Sequence, residues 1–237
     1  MEVRVEAVEQ WAHAVSDAWA DRLRDTPHLA MCLAAGGTPT PVFALVTTRP
    51  LDWSQCSVVA LDEFGGLANH DQEDSCDAML RRGFIDHTGV GQYRPLRTDG
   101  DLEAECADVD AWLDRGIDLV VVGIGVNGHV GMNEPGASIG RRTHVETLHD
   151  DTRDRCRRYF TSGFAPVWGI TVGLCDLLNA REVWLLATGA DKADITRAAV
   201  SEDVDSACPA SLYRSHPNDT MWLDRAAAMH LTKLGYT

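Results

Sequence analysis

Four segments built on continuous apolar stretches constrain this chain more than any other feature: "HLAMCLAA" (28–35), "SVVALDEF" (57–64), "IDLVVVGIG" (117–125) and "EVWLLATG" (182–189). A strand that is apolar at consecutive positions has no face left for water, so both of its faces must be covered. The segments between the runs carry helical periodicity. In "AVEQWAHAVSDAWADRLRD" (7–25), Val8, Trp11, Val15, Trp19 and Leu23 recur at spacings of three and four, which predicts an amphipathic helix. "PVFALVTT", "SCDAMLRRGFIDH", "DLEAECADVDAWLDRG", "HDDTRDRCRRYF" (149–160) and "ADKADITRAAV" (190–200) also read as helices; "GITVG" (169–173) reads as a strand and "LCDLLNA" as a short helix. This alternation predicts an α/β fold: one domain over residues 1–237, built on an open, mainly parallel sheet with helices on both faces, a Rossmann-like three-layer arrangement. No internal repeat, low-complexity tract or interdomain linker interrupts it.

Composition excludes several function classes. The formal net charge is −15 and no block of Lys or Arg stands out, which argues against nucleic acid and against anionic membrane surfaces. An acidic small substrate needs only a few local cations and stays open. The seven cysteines are scattered, with no C-x-x-C pair, and read as small buried groups in a reducing compartment rather than disulfides or zinc ligands. The acidic N-terminus "MEVRVEAVEQWAHAV" lacks the pattern of a signal peptide, and no run of eighteen apolar residues occurs. The expectation is a soluble cytoplasmic protein without a catalytic metal, since the histidines show no metal-ligand spacing.

Ligands of such sheets sit beyond the carboxyl ends of the strands, and four strand ends here carry unusual polar chemistry. In "AAGGTPTP", Gly36 and Gly37 let backbone approach a ligand, with Thr38 as N-cap and Pro39 as the first helical residue, an arrangement suited to phosphate. In "LDEFGG", Asp62 and Glu63 follow an apolar strand directly; one of them facing a site would be a base, and a helix cap or surface turn is the alternative. In "GIGVNGHVGMNEPG" (123–136), the glycines let a loop wrap closely around something while carrying His129, a proton shuttle at neutral pH, and Glu134, able to orient its ring if the loop folds back. In "ATGADKAD", Lys192 stands in a helix's first turn, where a bound anion would offset the dipole's penalty. Arg158 is a candidate second cation, with Arg155 and Arg157 beside it.

In this order the motifs resemble the glucosamine-6-phosphate deaminase family, within a sugar-phosphate superfamily that includes 6-phosphogluconolactonases. The resemblance runs from "LAAGGTPTPVFALV" through "LDEFGGL", "GIGVNGHVGMNEPGAS", "RRTHVETLHDDTRDRCRRYF" and "ITVGLCDLLNAREVWLLATGADKA" to "PASLYRSHPN"; "NEP" after "GH", and "DEF" rather than "DER", point to the deaminase branch. It implies a cofactor-free aldose–ketose isomerisation with loss of ammonia, of the hydrolase class, on a phosphorylated amino sugar. Asp62 would be the carboxylate that moves a proton between C2 and C1, His129 would assist ring opening and Glu134 would support it. Gly36, Gly37, Thr38, Arg158 and Lys192 would hold the phosphate.

The chain departs from the family at "V-N-G-H", where "N-D-G-H" is usual: Asn127 stands for an aspartate that partners the histidine, and takes its place among the substrate-binding candidates. An amide can still orient a ring but brings no charge, so the imidazole should titrate lower and could favour another tautomer. Tyrosines common after "DEF" are replaced by "SCDAML", and "AAAMHLTKLGYT" leaves little room for a C-terminal extension. A non-deaminating sugar-phosphate isomerase, a lactonase (a reading to which "TMWLDRAAA" lends some flavour) and a non-catalytic sugar-phosphate binder therefore remain alternatives, and a homo-oligomer stays open.

Overall fold

A computed structural model describes residues 1–231 and Gly235, with backbone alone for Asn69 and His70; the end of the "AAAMHLTKLGYT" tail thus lies outside the described residues. The chain runs β1 (Glu2–Glu6), α1 (Val8–Asp25), β2 (Ala30–Leu33), α2 (Thr40–Val46), β3 (Ser57–Ala60), β4 (Asp62–Phe64) and α3 (Cys76–Leu80). A π-helical turn, Arg81–Ile85, carries α3 into α4 (Asp86–Thr88). There follow β5 (Gln92–Arg94), α5 (Leu102–Leu113), β6 (Leu119–Gly123), β7 (His144–Thr147), α6 (Asp150–Cys156), β8 (Trp168–Thr171), α7 (Leu174–Leu178), β9 (Val183–Ala187), α8 (Ala193–Ser201) and β10 (Asp219–Asp224).

Seven strands form one parallel sheet in the order β1-β10-β9-β6-β2-β3-β5. Consecutive residues of β6, β9 and β10 are buried, so both faces of the sheet centre are covered, as the apolar runs require. Trp19 of α1 anchors one face, stacked on Phe84 at 5.4 Å with Phe43 and Trp53 at 6.0 Å. The order matters for function. From β2 the chain steps outward through β3 to β5, then returns to β6 and steps the other way. The direction reverses between β2 and β6, and a crevice opens at such a switch point.

Several expectations are corrected. "SVVALDEF" is not one strand: it leaves the parallel sheet at Leu61, and Asp62–Phe64 pair antiparallel with β8 in a second sheet, β4-β8-β7. "GITVG" belongs to that second sheet, not to the main one. Helix α2 starts at Thr40 with Pro39 in the cap position, and no side chain caps it, so Thr38 is not an N-cap. Val8 is 62% exposed, because the buried stripe of α1 begins at Trp11. "TMWLDRAAA" supplies β10, which pairs with β1 and β9. Among the described residues no helix is long and apolar enough to cross a membrane.

Candidate active site

The ends of four adjacent strands, β3, β2, β6 and β9, line one cleft of about 320 Å³, at the small end of ligand pockets, which span roughly 300–1,000 Å³. Gly36, Gly37 and Thr38 enter it after β2, Asp62 after β3, His129 after β6 and Lys192 after β9. Arg158 reaches it from the turn that ends α6. Asn127 and Glu134 stand behind His129 rather than on the wall.

The Asp-Glu pair is divided by strand alternation, which sends the two side chains to opposite faces. Asp62 lines the cleft, half-buried; burial pushes its carboxyl up from 3.8 to about 6, opposed by a hydrogen bond from the Cys76 thiol. Glu63 points away. It accepts the amides of Phe64 at 2.7 Å, Cys76 at 3.0 Å and Asp77 at 2.9 Å, tying β4 to the start of α3. The cap reading was right for Glu63 and the base reading is open only to Asp62.

The loop after β6 does fold back, through bridges of Val130 with Ile124 and Asn133 and a 2.9 Å hydrogen bond from the Gly125 amide to the His129 carbonyl. It lays the imidazole against Gly125, where a Cβ would sit 2.3 Å from Nδ1. Thr152 Oγ1 is 3.0 Å from Nδ1, and Glu134 Oε2 lies 3.7 Å from it, within electrostatic range but beyond a hydrogen bond. Burial lowers the His129 imidazole to about 4; Glu134 raises it, and Lys192 and His149 lower it further. The imidazole titrates low as expected, but burial is the leading cause. Asn127 does not orient the ring at all: its Nδ2 donates to Glu134 Oε2 at 2.9 Å and its Oδ1 accepts the His129 backbone N–H at 3.2 Å. Glu134 Oε1 also accepts the His149 amide at 3.2 Å.

On the other side, Lys192 Nζ donates to the Ile124 carbonyl at 2.6 Å. Burial lowers its ammonium to about 8, with Arg155 and Arg158 adding to the shift and Asp191 opposing it. It sits in the turn Ala190–Lys192 just before α8, at that helix's cap. Arg155 pairs with Asp191 at 2.6 Å, Arg157 leans toward Asp154 at 3.9 Å, and Arg158 makes no ion pair among the described residues. That separates the three arginines. Among the described residues the amides of Gly36 and Thr38 donate to no protein atom, while that of Gly37 makes a long 3.4 Å bond to Tyr159 Oη. The cradle is open toward the cleft. Among the described residues no group of three or more His, Cys, Asp or Glu side chains is placed to hold a metal ion.

A sequence profile of the family described as glucosamine-6-phosphate isomerases/6-phosphogluconolactonase matches residues 2–222. The chain belongs to this family. The glucosamine-6-phosphate deaminase of Streptomyces coelicolor is 37% identical to it over 234 residues, 94% of this chain and 89% of the relative. That of Pseudarthrobacter chlorophenolicus is 38% identical over 225 residues, covering 91% and 86%. Among solved structures, a monomeric glucosamine-6-phosphate deaminase superposes with a TM-score of 0.91 at 31% identity, over 97% of this chain and all of that one. The 6-phosphogluconolactonase of Trypanosoma brucei superposes with 0.75 at 19% identity, over 97% and 98%, and shares the fold.

Sequence reasoning about this family member named Arg155 only as an alternative to Arg158 and missed its neighbours on that side of the cleft. Thr152, Arg155, Cys156 and Tyr159 all line it. Their spacing of three, four and seven puts them on one helical face, a signal hidden because "HDDTRDRCRRYF" looks charged all round. Cys76, which touches Asp62, carried no signal beyond its place in "SCDAML".

Proposed function

We propose that the protein converts glucosamine 6-phosphate and water to fructose 6-phosphate and ammonia. One observation carries the reading: a carboxyl group held near pH 6, a neutral imidazole and two cations converge from four neighbouring strand ends and α6 on a single cleft. The phosphate would lie against Gly36, Gly37 and Thr38, neutralised by Arg158 and Lys192. His129, whose Nδ1 faces Thr152 and Glu134 and whose Nε2 makes no hydrogen bond among the described residues, would use Nε2 to move a proton from the anomeric hydroxyl toward the ring oxygen. Glu134, fixed by Asn127 and the His149 amide, stabilises the imidazolium that forms in passing. Asp62 then takes the C2 proton of the open-chain sugar and returns it at C1, while one amine proton passes to the C1 oxygen, leaving a hydroxymethyl group at C1 and an imine at C2. Water adds to that carbon and ammonia departs, so the net step is hydrolytic although its core is an isomerisation. None of these transfers needs a cofactor. A reducing, cytoplasmic setting accords with seven free cysteines.

The test is a panel of hexosamine phosphates, hexose phosphates and 6-phosphogluconolactone followed by NMR without added metal. Ammonia and a ketose phosphate from glucosamine 6-phosphate are expected. Isomerisation without ammonia, lactone hydrolysis alone, or binding without turnover would each replace the assignment.

A further inference from the structure

Tyr159 was no part of the phosphate set expected from the sequence, yet its hydroxyl sits over the phosphate loop. Tyr159 Oη accepts the Gly37 amide at 3.4 Å, and a Cβ built on Gly36 would come within 3.0 Å of it. The hydroxyl therefore hangs above both glycines, on the side of the loop that opens into the cleft. Its ring is fixed from two sides: Phe64 packs at 6.5 Å between centroids, and the Arg158 guanidinium carbon lies 5.4 Å from the ring centre. Arg158 and the phenol are thus carried to the same place by one turn, Arg157–Tyr159. A phenol has one proton to give and lone pairs to accept with. In accepting from Gly37 it keeps its own proton, which has no acceptor among the described residues.

We propose that the Tyr159 hydroxyl is a direct ligand of the substrate's phosphate, donating to a phosphate oxygen held beside the Gly36–Thr38 amides. The proposal rests on reading the cleft as a sugar-phosphate site. The phenol then does two things at once: it holds the Gly37 amide in place from behind its oxygen and offers a directed donor that discriminates a phosphate ester from an unphosphorylated sugar. The opposite role, a plug that occupies the loop until an anion displaces it, makes the opposite prediction for the same variant.

The test is Tyr159→Phe, which keeps the ring and its packing, with inorganic phosphate as the probe. Dissociation constants come from calorimetry and from the phosphate-dependent rise in melting temperature, and the melting temperature without phosphate checks the fold. A hydrogen bond to a charged acceptor corresponds to about tenfold or more in affinity. Phosphate should bind the variant about tenfold more weakly, and KM for the sugar phosphate should rise by a similar factor, with kcat moving less. Unchanged or tighter phosphate binding overturns the proposal, and tighter binding identifies the plug. Failure of the wild-type protein to bind phosphate overturns it as well. Ammonia release is read separately: weakened phosphate binding without ammonia leaves this proposal standing and removes the deaminase reading, and the reverse pattern does the opposite.

Discussion

Gly125 is the position at which the imidazole can be moved without touching a polar group. A Cβ there would lie 2.3 Å from Cε1 and Nδ1 of His129 and 2.4 Å from Nε2, where ordinary contact begins near 3.4 Å. The backbone is outside the left-handed region at Gly125, so alanine meets only the steric penalty. Gly125→Ala must push the ring about 1 Å outward to restore van der Waals spacing. That breaks the 3.0 Å contact with Thr152 Oγ1 and shifts Nε2 relative to a bound sugar. A misplacement of this size costs on the order of 10²-fold in rate. Overpacking lowers stability by about 1–3 kcal/mol, so the melting temperature should drop by about 2–12 °C at this chain length. Ammonia release is followed in a coupled assay beside a melting curve. Gly140→Ala is the control, since a Cβ there meets nothing within 4 Å. Should Gly125→Ala stay within threefold of wild-type kcat/KM, the placement of His129 does not govern the reaction and the argument that sets it against the sugar fails.

Asp62→Asn should abolish ammonia release while phosphate affinity, by calorimetry, changes less than about twofold. The same variant should melt higher at pH 8. Burial holds the carboxyl at about 6 instead of 3.8, so its contribution to the stability of the wild type is complete below 3.8 and is lost as pH rises through 6, by about 3 kcal/mol or roughly 6–12 °C; equal melting temperatures would show that the carboxylate is not desolvated. For the free enzyme, kcat/KM should climb through about pH 6 as Asp62 ionises and fall above about 8 as Lys192 loses its proton. His129, at about 4, stays neutral across that window, and a flat alkaline side would take Lys192 out of the account. Lys192→Ala should raise KM by tenfold or more with a smaller effect on kcat, and an unchanged KM would remove Lys192 from the phosphate subsite.

The parallel sheet was legible because burial on both faces leaves a plain mark: β2, β3, β6 and β9 are apolar at consecutive positions. The strands that escaped notice leave weaker marks. β1 is an edge strand with charged residues at three of five positions, and β5 is only three residues long. The turn at Leu61, which passes the chain from one sheet to another, has no local signature, because Asp62–Phe64 continue the same alternation on a new partner. The site divides similarly. Strand-end loops with glycine, histidine or lysine declared themselves in the sequence. Thr152, on α6, and Tyr159, in the turn that ends it, face the cleft only because this segment is rotated toward it, a tertiary fact that its charges conceal.

Asn127 shows how far a motif departure can be read before contacts are known. As an isolated change it suggests a missing charge, and aspartate would look like a repair. The contacts reverse that expectation. The Asn127 amide donates to Glu134 at 2.9 Å, and Glu134 is only 3% exposed. Asn127→Asp would turn that donor into a second carboxylate in a buried site, where two like charges at such a distance repel by several kcal/mol unless one proton is shared between them. The shared proton is easily supplied near pH 5 and withdrawn as pH rises. A carboxyl whose proton is favoured by folding gives stability at low pH and loses it at high pH. Asn127→Asp should therefore melt close to wild type at pH 5 and fall progressively below it toward pH 8, with ammonia release declining over the same interval. A melting difference that does not vary with pH would mean that the two side chains do not meet, and that the missing charge, not the lost donor, is what distinguishes this chain.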